Sequence, residues 1–176
     1  FKALREHNIK LLLAGELLYP SDLPFPNIDD DPLKKLITCT GRSQIVGVAS
    51  YDEPFFRNLL EPSKKLYERI KKIDPTIPVF MVHAPMPSII IEQDSSVRPI
   101  TKEELNYYFG EVKKYNKYAD IIGFDVYPIP QEIAQTTTPY AAGKTPDYKQ
   151  TIADYLRWMR DNAEGKPYFI ALQAFS

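Results

Sequence analysis

A chain of 176 residues, 44% apolar and 26% charged, has the length and composition of one globular domain with a sizeable core, and disorder is excluded. A net charge of -1 gives no general attraction to nucleic acid or to an anionic membrane, and no apolar run approaches the roughly 18 to 20 residues that span a bilayer. The single cysteine, Cys39, excludes an internal disulfide framework and leaves the redox compartment open.

In chain order, residues 1–8 read as the end of a helix. Strand-like apolar runs then recur at 9–14, 45–50, 77–82, 121–126 and 168–173. Between them lie helical patterns. Asp31 and Pro32 supply a cap and first position for a short helix through about Thr38. Leu66, Tyr67, Ile70 and Ile73 form one apolar face within 63–74. Thr101 followed by Glu104 is a capping box opening a helix to about Ala119. Ile152, Tyr155, Leu156 and Met159 recur at helical spacing, and Gly165 stands where a C-terminal cap belongs. Four strand–helix alternations ending on a fifth strand predict an α/β fold with parallel strands and right-handed crossovers.

Two architectures compete, a doubly wound open sheet and part of a (β/α)₈ TIM barrel. The seven glycines form neither a dinucleotide fingerprint nor a phosphate loop, so the nucleotide-binding version has no support. The strand spacing suits a barrel with loop insertions, covering five of its eight units. The chain starts at Phe1 and stops after a strand-like run, so residues 1–176 read as one domain, an interior fragment of a barrel. The lack of a leader then says nothing about secretion. The longer excursions, 16–31, 85–100 and 128–147, all follow strands, where a barrel carries its binding loops.

The organising stretch is 45–54, where an apolar strand ends in Tyr51, Asp52, Glu53 and Pro54. Proline stops the ladder there, and two acids stand at the end of the sheet where α/β folds bind ligands. The other strand ends contribute Glu16, His83, Asp125, Tyr127, Gln173 and Phe175. No lysine stands among them for a Schiff base, and no nucleophile elbow or metal-ligand spacing is present. No cofactor is implied. Carboxylates with aromatics on such a face suggest carbohydrate chemistry. Glycoside hydrolysis needs one carboxyl kept protonated for the leaving oxygen and a second one ionised, while tyrosine and phenylalanine offer flat faces to sugar rings.

Asp52-Glu53-Pro54 at a strand end resembles the Asn-Glu-Pro of the large clan of retaining (β/α)₈ glycoside hydrolases. The chain is also similar to uncharacterised bacterial proteins of the glycoside hydrolase-like barrel superfamily. Gly123, Asp125, Tyr127 and Pro128 match their motif after strand six, and Leu172 to Phe175 their motif after strand seven. The resemblance implies that the five runs are strands three to seven. It makes Glu53 the acid/base, places Asp52 and Tyr127 against the substrate, and implies a poly- or oligosaccharide substrate. Gln173 departs from the pattern, since it stands near the seventh-strand nucleophile position and an amide cannot attack an anomeric carbon. The second carboxylate is then Asp125 or Glu16, with Asp125 the better candidate, or comes from a strand outside the chain. Tyr51, His83 and Gln173 are taken as substrate-lining residues. The alternative is a carbohydrate-binding barrel that has lost its nucleophile, or a structural fragment whose acids only cap helices. Oligomeric state is not legible.

Overall fold

The computed structural model describes residues 2–127, 137–142 and 148–172. Five parallel strands are laid down in chain order: β1 (Leu11–Ala14), β2 (Ile45–Ala49), β3 (Val79–His83), β6 (Ile121–Val126) and β7 (Tyr168–Leu172). Helices separate them: α3 (Pro32–Thr40), α4 (Leu60–Ile73), α5 (Lys102–Asn116) and α6 (Tyr148–Asn162), with short α1 (Lys2–Glu6) and α2 (Gly15–Leu18) on either side of β1. The strand order is sequential, without the reversal of a doubly wound sheet, and β1 does not meet β7. The result is an open, singly wound α/β sheet.

Sequential parallel strands joined by right-handed crossovers place every helix on one face. Burial follows that rule. Val48, Val79, Met81, Ile122, Phe124 and Val126 are almost completely buried, and the same core clusters hold Leu66 and Ile70 of α4, Tyr108 and Val112 of α5, and Tyr155 and Met159 of α6. Each such side chain contributes about 1.5–3 kcal/mol by leaving water. Residues of the opposite parity are far less covered: Leu12 is 53% exposed, and Phe80, Val82 and Ile121 are half-buried.

Two glycines shape this second face. A Cβ on Gly47 would run into the Phe80 ring, and one on Gly123 into the Phe169 ring. The rings meet edge to face, their centroids 6.4 Å apart and their planes at 65°, and make an apolar floor.

The caps form as the residue types require. Asp31 accepts from the Leu33 amide at 2.9 Å, and the Thr101/Glu104 box is closed in both directions. Three expectations are corrected. The excursion at 85–100 holds a hairpin, β4 (Ile89–Ile91) with β5 (Val97–Pro99), turned at Ser95 in the left-handed region. Arg98 on that hairpin clamps Glu92 and Glu104, tying it to the start of α5. Leu156 is 39% exposed, and Trp158 fills the core beside Tyr155 instead, because the buried face of α6 is set by Tyr155, Trp158 and Met159. Finally, the run at 77–82 becomes a strand only from Val79 and reaches His83.

Candidate functional site

The carboxyl ends of β2 and β6 are brought together. In the segment that follows β2, Leu59 N–H donates to the Pro54 carbonyl at 2.9 Å and Asn58 N–H to that of Phe55 at 3.0 Å.

 β2 itself ends at Ala49, and the turn that follows holds Glu53 at φ +42°, a left-handed conformation that costs a side-chain-bearing residue about 1–2 kcal/mol. That turn sets the Glu53 carboxyl against Asp125, the fifth residue of β6.

Asp125 is 6% exposed. Burial first, and then the neighbouring Glu53 charge, push its carboxyl up to about 7, against the pull of the Tyr127 hydroxyl that donates to it. Its Oδ1 has no hydrogen-bond partner. Two ionised carboxylates have no proton to offer each other, whereas one proton on the pair makes the bond between Asp125 and Glu53. Asp125 therefore holds a proton up to near neutrality and can offer it to Glu53.

Tyrosines surround it. Tyr108 of α5 is fully buried with its hydroxyl donated to the Ala84 carbonyl, and Tyr155 of α6 donates to the Thr137 carbonyl at 3.2 Å. Burial chiefly drives both phenols up, and the Asp125 charge adds to it. Phe55 packs edge-on against Tyr108 at 5.0 Å, and Phe56 stacks on it at 5.9 Å. Phe56 and Tyr107 remain substantially exposed at the rim.

Beside the pair lies a cavity of about 180 Å³. Ala14, Ala49, Phe80 and Val82 line its apolar part, and Glu16, Ser50, Tyr51 and Asp52 its polar part. Glu16, in the first turn of α2, meets Arg57 through two bonds of 2.9 and 2.5 Å. Those bonds, helped by the Asp52 backbone, hold its carboxyl below the usual carboxylate range. Tyr51 is buried, and its hydroxyl donates inward to the Tyr19 carbonyl at 2.7 Å. Burial, and then the Glu16 charge, push that phenol up to about 12. Asp52 is exposed at the mouth.

Of the residues expected from sequence, Glu53, Asp125 and Tyr127 meet, and Glu16, Tyr51 and Asp52 line the adjoining cavity. His83 is not among them. It shares the parity of Val79 and Met81, faces the helices, and is 1% exposed with Nε2 2.9 Å from the Asn116 Oδ1. Burial pulls its imidazole down to about 4, partly opposed by Asn116. Gln173 and Phe175 lie outside the described residues, as does Pro128. Arg57, Tyr108 and Ser50 were missed. Tyr108 sits on the helical stripe of Leu105, Phe109 and Val112, so its spacing signals only core.

Among the described residues no group of three or more His, Cys, Asp or Glu is placed to hold a metal ion, and no helix is long and apolar enough to cross a membrane. Comparison with models of known families, with curated proteins and with solved structures returns no match.

Proposed function

We propose that this face is the active site of a (β/α)₈-barrel glycoside hydrolase-like enzyme, with the chain carrying about strands three to seven, and that it acts on a poly- or oligosaccharide. The observation that carries the reading is the Glu53–Asp125 pair, two carboxyls from beyond the ends of β2 and β6 within hydrogen-bonding reach, with Asp125 kept protonated to near neutral pH. Sequential strand order, helices on one face and an apolar, uncovered opposite face support a sheet that closes into a barrel.

In this reading Glu53 and Asp125 act together as the general acid/base. The shared proton goes to the glycosidic oxygen as its bond to the anomeric carbon breaks, and the ionised pair then takes a proton from the water that replaces it. Within hydrogen-bonding reach the two carboxyls stand closer than the about 5–5.5 Å of a retaining pair or the roughly 6.5–9.5 Å of an inverting one. Asp125 is thus the proton-sharing partner of Glu53 and not the carboxylate on the opposite side of the sugar. Tyr127 orients Asp125, and the rim aromatics Phe56 and Tyr107 offer stacking faces. A carboxyl beside Glu53 also favours catalysis over a purely carbohydrate-binding role.

The test is the release of reducing ends from a panel of α- and β-linked polysaccharides by the wild type and by Glu53→Gln. Release by the wild type alone is expected. A wild type inert on every polysaccharide, or a Glu53→Gln variant as fast as wild type, would overturn the proposal.

A further inference from the structure

Resting on that carbohydrate reading, we infer that the cavity bounded by Ser50, Asp52 and Glu16 is a sugar subsite that selects a cationic amino sugar and rejects an acidic one. Three observations combine. The cavity is lined by the apolar Ala14, Ala49, Phe80 and Val82 together with the polar Glu16, Ser50 and Asp52, the mixed lining that a sugar ring with one apolar face suits. Its volume is about that of six waters, which one sugar ring displaces.

Ser50 supplies the second observation. It is 8% exposed, it lines the cavity, and its hydroxyl has no hydrogen-bond partner. A buried hydroxyl left unmatched costs about 1–3 kcal/mol, and a ring hydroxyl or amine in the cavity would satisfy it.

The third is charge. Arg57 is taken by Glu16 through both of its terminal nitrogens, so that pair is close to neutral. The side-by-side carboxyls of Glu53 and Asp125 form one acidic group near the cavity. Asp52 adds another, and its carboxylate makes no hydrogen bond or ion pair among the described residues. The mouth therefore carries an excess of acid over the Arg57 charge, whose field also reaches Asp52, beside an apolar floor. An ammonium group on the sugar offers Asp52 a charge-assisted bond, while a uronate meets repulsion from Asp52 and from the carboxyl pair.

The experiment is calorimetric titration of the full-length protein with three β-1,4-linked disaccharides, of glucose, of glucosamine and of glucuronate, at a pH where the amine is protonated. The glucosamine disaccharide is expected to bind about tenfold or more tightly than the glucose one, with the glucuronate one weakest. Asp52→Asn should bring the first two to parity, Ser50→Ala should weaken both, and added salt should narrow the difference. Equal affinity for the amine and the carboxylate, or a preference untouched by Asp52→Asn, would overturn the inference. If the protein releases reducing ends from polysaccharides and yet binds the three alike, only the charge selection fails. If it binds none of the three and hydrolyses nothing, the carbohydrate reading fails with it.

Discussion

The two ends of the sheet treat charge in opposite ways. At the amino-terminal end, Asp120 accepts from the Val79 amide at 2.7 Å, from Lys71 at 2.6 Å and from the Tyr67 hydroxyl at 3.2 Å. Arg42 there reaches Asp74 at 2.8 Å and the carbonyls of Ile45 and Thr76, and Lys166 caps the carbonyls of Asn116 and Ala119. Every one of these charges is matched by a partner that also fixes a strand or helix end. At the carboxyl-terminal end a buried acid, Asp125, keeps an unmatched oxygen, as the Ser50 hydroxyl does, and Glu53 takes a left-handed conformation. The other end has its own unmatched Gln44 oxygen and left-handed Glu164, so the contrast lies in the charge. The first arrangement stabilises the fold. The second is tolerated at a cost in stability, which is the mark of a surface kept for something else.

Substitutions at each end should separate the two. The largest effect belongs to Glu53→Gln, expected to lower the hydrolytic rate by about 10² to 10⁴ with an unchanged melting curve, as steady-state assays and calorimetry will read. Asp120→Ala should do the reverse, lowering stability by about 1–3 kcal/mol in urea titration while the rate per folded molecule holds. Asp125→Asn tests the sign of the titration. Its carboxyl is raised, so the native state holds a proton that the unfolded state has lost between pH 3.8 and about 7. Wild-type stability from this group therefore falls as pH rises through that window. The Asn variant should gain on the wild type by on the order of 2 kcal/mol above pH 7 and by nothing near pH 3.5. The smallest effect on stability is that of Glu53→Gly, which relieves the positive φ and should stabilise by about 0.5–1 kcal/mol, with activity lost as in Glu53→Gln. If it destabilises instead, the turn is not strained and the contrast between the ends weakens.

Much of the architecture was legible because it rests on local chemistry. The Asp31 and Thr101 caps and the strand–helix alternation are written in short stretches, and each formed as expected. The hairpin was not, since its strands are three residues long and its turn uses Ser95 where glycine or asparagine would have signalled it. At the site, Asp125 and Tyr127 share one parity along the strand and its end, and an acid in an apolar run announces itself. The phase of β3 was not readable, because Val79 through Val82 are apolar on both faces, and so His83 was placed on the wrong side. The pairing of Glu53 with Asp125 depends on a left-handed turn that no residue type in 51–54 foretells.

Gly47 and Gly123 lie under the rings of Phe80 and Phe169, so the floor is built from two interlocking pieces on alternate strands. In a saturation screen Gly123 should accept a side chain only when the facing Phe169 ring is trimmed in the same clone, and Gly47 none at all, since a Cβ there also meets the Pro78 carbonyl. Gly123→Ala paired with Phe169→Leu is the double mutant that should survive where the alanine alone does not, whereas Gly47→Ala should fail with or without Phe80→Leu. Natural drift at Gly123 would then have to proceed by a paired exchange, ring for methyl, in neighbouring strands, while Gly47 stays fixed.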